Sequence, residues 1–571
     1  MKSALFAFFL LVAGCGAHTA NVQAPAAASV NLTPEARGFI HDMATKLTVQ
    51  CKDDVKGDAE TQKLLQKGCD GGDAKGCVDA SILAACGVGQ RADLRQAEKL
   101  ATLACDRGNA DGCMDAGAYA LALPNATSAD FARVVHSFDR ACTVSSGAAC
   151  DNIAILYKLG LGVPHDDARA AKLLVSACDK ANANACYNLA FFTEHGTGVA
   201  HDDAAAAALY TKACEARSYE ACTNLGLMYE NGRGVAASIN HAAELYEKGC
   251  NGGFSVACNN LAKFYDHGRG VGKDPSKAAQ LYARACERGA VDACTSVGVA
   301  FETGVGAPQD FAKAAQLYTV ACDHGEPAAC NNLGLFLEHG KGGTTPDVPR
   351  ASTLYKRACD GQYAGGCVNL GVLFQAGKGV GRDLPRAIAL YKSACDLGDG
   401  FGCSNLGFVY VGGQGMPADF PRAVSLFEKS CKADNALGCS NLGLLYANGK
   451  GVAFDITHAG QLFAKACDAG AAIGCKNLGV LYHEGQGVTQ DLGRAATLFE
   501  KACDGSLVEG CALAGDVYAE GRGVAKNIPK ATTFIERAAT LLQADCNAGV
   551  AESCTQLAQA KLRIKELKLL P

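Results

Sequence analysis

The chain has 571 residues, 49% of them hydrophobic and 19% charged, with a formal net charge of −5. That is the composition of a folded chain and not of a disordered one, and without a run of Lys and Arg it has no basic field for phosphates, which speaks against nucleic acid as a partner. At about 100–200 residues per domain the length alone would predict three to five domains, an expectation that internal repeats overrule.

The first residues, MKSALFAFFLLVAGCGAHTA, set Lys2 before an apolar run from Ala4 to Ala13 and small residues before Cys15. This is the layout of an export signal. Ten apolar residues are too few to span a bilayer, and no later segment is apolar enough to cross one. The stretch LVAGC resembles the lipobox of bacterial lipoproteins. The resemblance implies cleavage before Cys15, lipid on its thiol and, because Gly16 follows where Asp would retain the protein, the outer membrane, facing periplasm or cell surface. A signal peptide is therefore expected over 1–14, an Ala-rich aperiodic tether over 15–34 and an N-terminal helical cap over 35–60. Repeats follow over 61–560, and a C-terminal tail over 561–571.

The repeats announce themselves by cysteine. Two cysteines stand eight positions apart at Cys69 and Cys77, Cys105 and Cys113, Cys142 and Cys150, Cys178 and Cys186, Cys214 and Cys222, Cys250 and Cys258, and Cys286 and Cys294. The same spacing returns at Cys322 and Cys330, Cys359 and Cys367, Cys395 and Cys403, Cys431 and Cys439, Cys467 and Cys475, Cys503 and Cys511, and Cys546 and Cys554. The step is 36 residues, stretched to 37 twice and to 43 at the last. A fixed period of this size marks a solenoid.

Each unit divides into two helical patterns. After the second cysteine come Leu at +3, Gly at +4 and an aromatic at +7, as in Cys439, Leu442, Gly443 and Tyr446, all on one helical face. The glycine costs a helix about 1 kcal/mol but admits a close neighbour. The first helix should end at turns such as NGKGV (448–452), where glycine can turn left-handed. An Asp such as Asp203, Asp310 or Asp383 should cap the second helix, and Asp274 is followed by Pro275, tolerated at that position. Two helices per unit, neither able to bury its apolar face alone, must stack.

The NLGxLY of Asn441–Tyr446, the GxGV of Gly449–Val452 and the AxLFxKAC of Ala459–Cys467 closely resemble the Sel-one-like (SLR) repeat, a relative of the tetratricopeptide repeat. With a cysteine pair in every unit, the chain further resembles the Helicobacter cysteine-rich protein branch. The resemblance implies an all-α fold, an α/α solenoid superhelix of about 14 repeats. Units before Cys150 are less regular: YALALPNATSADF (119–131) replaces the glycine turn.

The cysteines have three conceivable uses. Zinc sites want cysteines two to four residues apart, and redox catalysis wants one closely spaced pair, not fourteen. Disulfides suit an exported chain. Pairing Cys222 with Cys250 would orphan Cys69 and Cys554, whereas pairing within each set, Cys395 with Cys403 for example, orphans none and puts one disulfide at each repeat junction. Such a short loop restricts the unfolded chain by about 2–3 kcal/mol in the loop-entropy model. Cys51 and Cys86 remain, and are expected to bond to each other and tie down a helix of about residues 35–50.

Catalytic signals are absent. Glycine runs such as GRGVGKD (268–274) lack the spacing of a phosphate loop. His195, His267 and His339 recur two units apart, too far to share a metal, and suit the negative end of a helix. No metal or cofactor site is predicted. The resemblance implies one activity, since the cysteine-rich branch has been credited with penicillin binding and β-lactamase activity. Yet Ser-x-x-Lys, Ser-Asp-Asn and Lys-Thr-Gly boxes are all missing.

Binding is the other reading. Residues at +1 (Tyr187, Thr223, Asn259, Lys476) and +5 (Phe191, Lys263, Phe408, Asp516) vary between units, as a face not dictated by the stack would. Asn recurs at +2, at Asn188, Asn224, Asn260, Asn332, Asn369, Asn405, Asn441 and Asn477. Such a ladder can bond an extended peptide, or it can recur because each Asn bonds a neighbouring helix. The expectation is a lipid-anchored, exported scaffold for a protein or peptide partner in the envelope, with β-lactam hydrolysis as the alternative and peptidoglycan-associated support as a third possibility.

Overall fold

The structure, a computed structural model, describes residues 59–88, 91–123, 126–144, 147–413 and 417–569, together with Ala36, Phe39 and Ile40. The expected signal, Cys15, the tether and Cys51 lie outside the described residues. Contacts divide the chain into two units, Met1–Pro308 and Gln309–Pro571. Among the described residues there are 28 α-helices and no strand. Each unit is a solenoid in which two helix types alternate: a second-type helix such as Leu384–Asp396 leads through a tight turn into the next first-type helix, Gly400–Gly412.

That turn is where each disulfide sits. Fourteen join the end of one helix to the start of the next across eight positions, Cys395 to Cys403 with Cα atoms 4.5 Å apart. In the first unit the bonds run from Cys69 to Cys77, Cys105 to Cys113, Cys142 to Cys150, Cys178 to Cys186, Cys214 to Cys222, Cys250 to Cys258 and Cys286 to Cys294. In the second they run from Cys322 to Cys330, Cys359 to Cys367, Cys431 to Cys439, Cys467 to Cys475, Cys503 to Cys511 and Cys546 to Cys554 as well. The pairing is the one that leaves no member of these sets orphaned. Cys86 is also disulfide-bonded. The number of disulfides points to an oxidising, exported environment. Three residues after the first cysteine the backbone is left-handed in both units: glycine supplies this at Gly398 (φ 88°), but Ala181, Arg217, Gln362, Asp434 and Ser506 occupy the equivalent position at φ 55–70°.

The other turn follows the glycine logic. Gly449 closes Ala436–Asn448 at φ 60°, its N–H bonded to the Leu445 carbonyl. Asp310, Asp383 and Asp274 cap the helices that follow them, with Pro275 at the first helical position. Asp203 is a correction: Asp202 is the cap, its carboxylate accepting from the N–H groups of Ala204 and Ala205, and Asp203 is the first helical residue.

Packing explains the helical glycines. A Cβ on Gly443 would lie 2.7 Å from the Phe463 ring, and one on Gly371 2.6 Å from Tyr391. The ring, four residues before the cysteine that ends its helix, fills the space: Tyr210, Tyr246, Tyr355, Tyr391, Phe427, Phe463 and Phe499 are all buried. Burying each contributes roughly 2–3 kcal/mol. Between repeats, Arg284, Arg357 and Lys465 donate to the carbonyls of Cys250, Cys322 and Cys431, which a helix end leaves unmet.

Two irregularities remain. The helix Ala110–Leu121 ends in a right-handed Ala122 instead of a left-handed glycine, and Leu121 and Leu123 are buried beyond it. The last helix, Ala551–Lys568, continues past 560 into the expected tail and buries Leu567.

Candidate functional site

The first-type helices carry the variable positions, and the structure sorts them. Of the +1 residues expected on a free face, Thr223 and Asn259 are only 3% and 5% exposed, a correction to that expectation. Thr223 spends its hydroxyl on the Tyr219 carbonyl (2.9 Å) and Asn259 donates to Asp292 (2.7 Å). Tyr187 and Lys476 are half-buried. The +5 position does face outward: Phe408 and Lys263 are exposed, as are Leu227, Val299, Val372 and Leu444, while Phe191 and Asp516 are half-buried.

The asparagine row divides in two. Asn188 donates to Asp151 (2.7 Å), Asn224 to the Tyr210 hydroxyl (3.3 Å) and Asn369 to the Asn331 oxygen (2.9 Å). Asn260 bonds Tyr246, and Asn332 accepts from Asn331 (3.3 Å). These five serve the stack. Asn405, Asn441 and Asn477 have no hydrogen-bond partner among the described residues, and the amide nitrogens of Asn441 and Asn477 are buried.

For Asn224 and Asn260 against Asn441 and Asn477 the difference lies in the ring beneath. Tyr210, Tyr246 and Tyr355 donate to Glu194 (2.7 Å), Glu230 (2.8 Å) and Glu338 (2.8 Å). Burial, reinforced by those carboxylates, pushes the three phenols far above their ordinary range and keeps the protons on them. Burial alone pushes Tyr391 up to about 12. A cation of the next repeat completes each set: Arg233 on Glu194, Arg269 on Glu230 (3.1 Å), Lys378 on Glu338 (2.9 Å). Burial opposes the ionised form of Glu338, but its bonds from Lys378 and Tyr355 hold the carboxyl below the ordinary range. Sequence reading missed this network, although its signal was present as an acid at +8 and a cation at +11. Where Phe427 and Phe463 replace tyrosine, no hydroxyl is left for Asn441 and Asn477.

Other candidates resolve as structural. His195 and His267 bond the carbonyls four residues back, Phe191 and Lys263, both at 2.9 Å. His339 is exposed at its helix end. Among the described residues no three His, Cys, Asp or Glu side chains come together as a metal site, and no helix is long and apolar enough to cross a membrane. An open groove of 520 Å³ runs past the disulfide turns Gly398–Phe401, Ala433–Leu437 and Ala469–Ala471.

The Sel1 repeat model matches twelve stretches, 81–109, 147–182, 183–218, 220–254, 255–289, 291–326, 327–363, 364–399, 401–435, 436–470, 472–507 and 508–541. The irregular 110–146 falls between the first two. Among solved structures, the chain is similar to c5321, a protective antigen present in uropathogenic Escherichia coli strains displaying an SLR fold. That match has 22% identity over 76% of this chain and 94% of that one, with TM-score 0.54. A Sel1 repeat protein from Oxalobacter formigenes matches at 26% identity over 54% and 89%, with TM-score 0.42. Cysteine rich protein B of Helicobacter pylori matches at 29% identity over 24% and 98%, with TM-score 0.20. No curated protein matches the sequence.

Proposed function

Because the chain belongs to the Sel1 repeat family, whose members are typically scaffolds for protein–protein interaction, we propose that it is an exported, lipid-anchored scaffold that holds a protein or peptide partner in the cell envelope. The observation that carries this reading is the outward +5 position, where Leu227 and Val299 in the first unit, and Val372, Phe408 and Leu444 in the second, stand exposed. Exposed apolar side chains repeated at one register support an interaction surface more than a chance scatter. The anchor rests on the sequence: residues 1–14 as signal, Cys15 as the lipidated thiol, 15–34 as the tether and the outer membrane as destination. A Cys51–Cys86 disulfide would secure the cap over 35–60 to the solenoid.

The β-lactam hydrolase alternative has the family resemblance in its favour and no residue constellation in this chain. Cross-linking in the native envelope, followed by mass spectrometry, tests the scaffold. A stoichiometric protein partner is expected. Recovery of the chain alone, or joined only to glycan, would contradict the reading.

A further inference from the structure

One register of the first unit changes character along the chain. In the first-type helices after Cys77, Cys113 and Cys150 the +9 residue is Cys86, Ala122 or Leu159, each buried or half-buried; in the next three it is His195, Asn231 or His267, all exposed. The +5 position changes with it. Ile82 and Ile155 are half-buried and Ala118 is 7% exposed, Phe191 stands half-buried at the boundary, and Leu227 and Val299 beyond it are 45% and 39% exposed. Apolar residues at a place that is polar and open elsewhere in the same stack mark a covered face.

Residues of the chain's own N-terminus lie there. Ala36 and Ile40, both helical, are 1% and 3% exposed and share one apolar cluster with Ala118, Leu121 and Phe131; Phe39, Met114 and Leu159 pack against that cluster. Ala36, Phe39 and Ile40 are spaced i, i+3, i+4, one face of a helix. The sequence repeats the apolar type at Met43 and Leu47, i+7 and i+11.

The covalent structure agrees. Fourteen disulfides use 28 of the 31 cysteines, so Cys86, which is bonded and itself occupies +9, has Cys15 or Cys51 for its partner. Either one ties the N-terminal segment to this face. The irregular turn agrees as well: where the helix after Cys186 has Glu194 and Gly196 at +8 and +10, the helix after Cys113 has Leu121 and Leu123, 0% and 2% exposed.

We propose that the N-terminal segment carrying Ala36, Phe39 and Ile40 is a resident ligand of the partner-binding face. It lies along the +5 and +9 positions of the helices after Cys77, Cys113 and Cys150, holds the place of a partner's amphipathic helix there, and is kept in it by the Cys86 disulfide. This rests on the scaffold reading and names the kind of partner the face takes, a helix apolar at i, i+3 and i+4.

Benzoylphenylalanine in place of Phe39 in the full, oxidised chain, followed by irradiation and peptide mapping, tests the placement. An intramolecular adduct on Ala74–Cys86, Ala110–Leu121 or Gly147–Leu159 is expected. Adducts confined to other segments, or joining two copies, would overturn the proposal. Occupancy is tested in trans by a free peptide of residues 34–49, PEARGFIHDMATKLTV, with the same photo-residue in place of its phenylalanine. It should label Ala110–Leu121 in the Phe39→Asp/Ile40→Asp chain about tenfold more than in wild type, because the resident copy has lost two apolar contacts. Equal labelling of the two chains, or none in either, would overturn the proposal, and the first experiment decides alone if the double variant does not fold. An envelope partner found while the Phe39 adducts lie elsewhere sinks this proposal and leaves the scaffold standing. Adducts as expected with no partner in the envelope sink the scaffold and leave the N-terminal segment as an intrachain ligand.

Discussion

Asn224 donates its amide to the hydroxyl of Tyr210 at 3.3 Å, and Tyr210 passes its own proton donation to Glu194 at 2.7 Å. In the second unit Phe427 and Asn441 stand at the same two positions, and the amide has nothing to meet. Phe427→Tyr should therefore stabilise the protein by about 1 kcal/mol, the net worth of a typical hydrogen bond. Chemical denaturation measures it, and an unchanged or lowered midpoint would show that the buried amide of Asn441 is no liability.

The left-handed turn after the first cysteine offers a second test. Gln362 and Ser506 hold φ 63° where glycine serves in other repeats. A side chain there costs roughly 1–2 kcal/mol, so Gln362→Gly and Ser506→Gly should each raise stability by about 1 kcal/mol after the added freedom of the unfolded chain is counted. Thermal melts that fall with either glycine would mean these side chains stabilise the turn by contacts of their own.

Close approach at the helical glycines gives the opposite sign. Gly443→Ala places a methyl 2.7 Å from the Phe463 ring. Shifting that buried ring should cost about 1–3 kcal/mol. Gly272→Ala, with nothing within 4 Å, is the control and should leave the midpoint nearly unmoved.

One carboxyl predicts a pH dependence. Burial, with Asp111 nearby as a second cause, pushes Asp115 from an ordinary 3.8 up to about 7. Below pH 3.8 the group is protonated in both the folded and the unfolded chain, and its contribution is intact. As pH rises from there to about 7 the unfolded chain ionises while the folded one keeps the proton, so stability is lost across that window. Asp115→Asn should remove the loss, raising stability at pH 8 by roughly 2–4 kcal/mol and changing little at pH 3.5. Equal gains at both pH values would show that packing, not charge, limits this site.

The period of the cysteines makes most of the architecture legible. Aligning repeat on repeat exposes the helix ends, the left-handed glycines and the disulfide register from the residues alone. What stays hidden depends on contacts between aligned positions. Variation at +1 reads as freedom, yet Thr223, Asn259, Thr295, Ser404 and Ser440 are small and buried, and their modest size is the available hint. The asparagine row reads as uniform because its fate is decided elsewhere: Asn224 and Asn260 meet the hydroxyl of a tyrosine fourteen residues upstream, whereas Asn441 and Asn477 have phenylalanine there. Asp203 is misplaced by one residue because Asp202 beside it caps equally well by type.

The scaffold claim is tested most directly by a photo-cross-linking residue placed at Leu444, in the cells that produce the protein, beside the same residue at Leu562, which is 59% exposed but off the asparagine row. The account predicts a discrete protein adduct from Leu444 and none from Leu562. No adduct at Leu444, or the same adducts from both positions, would contradict it.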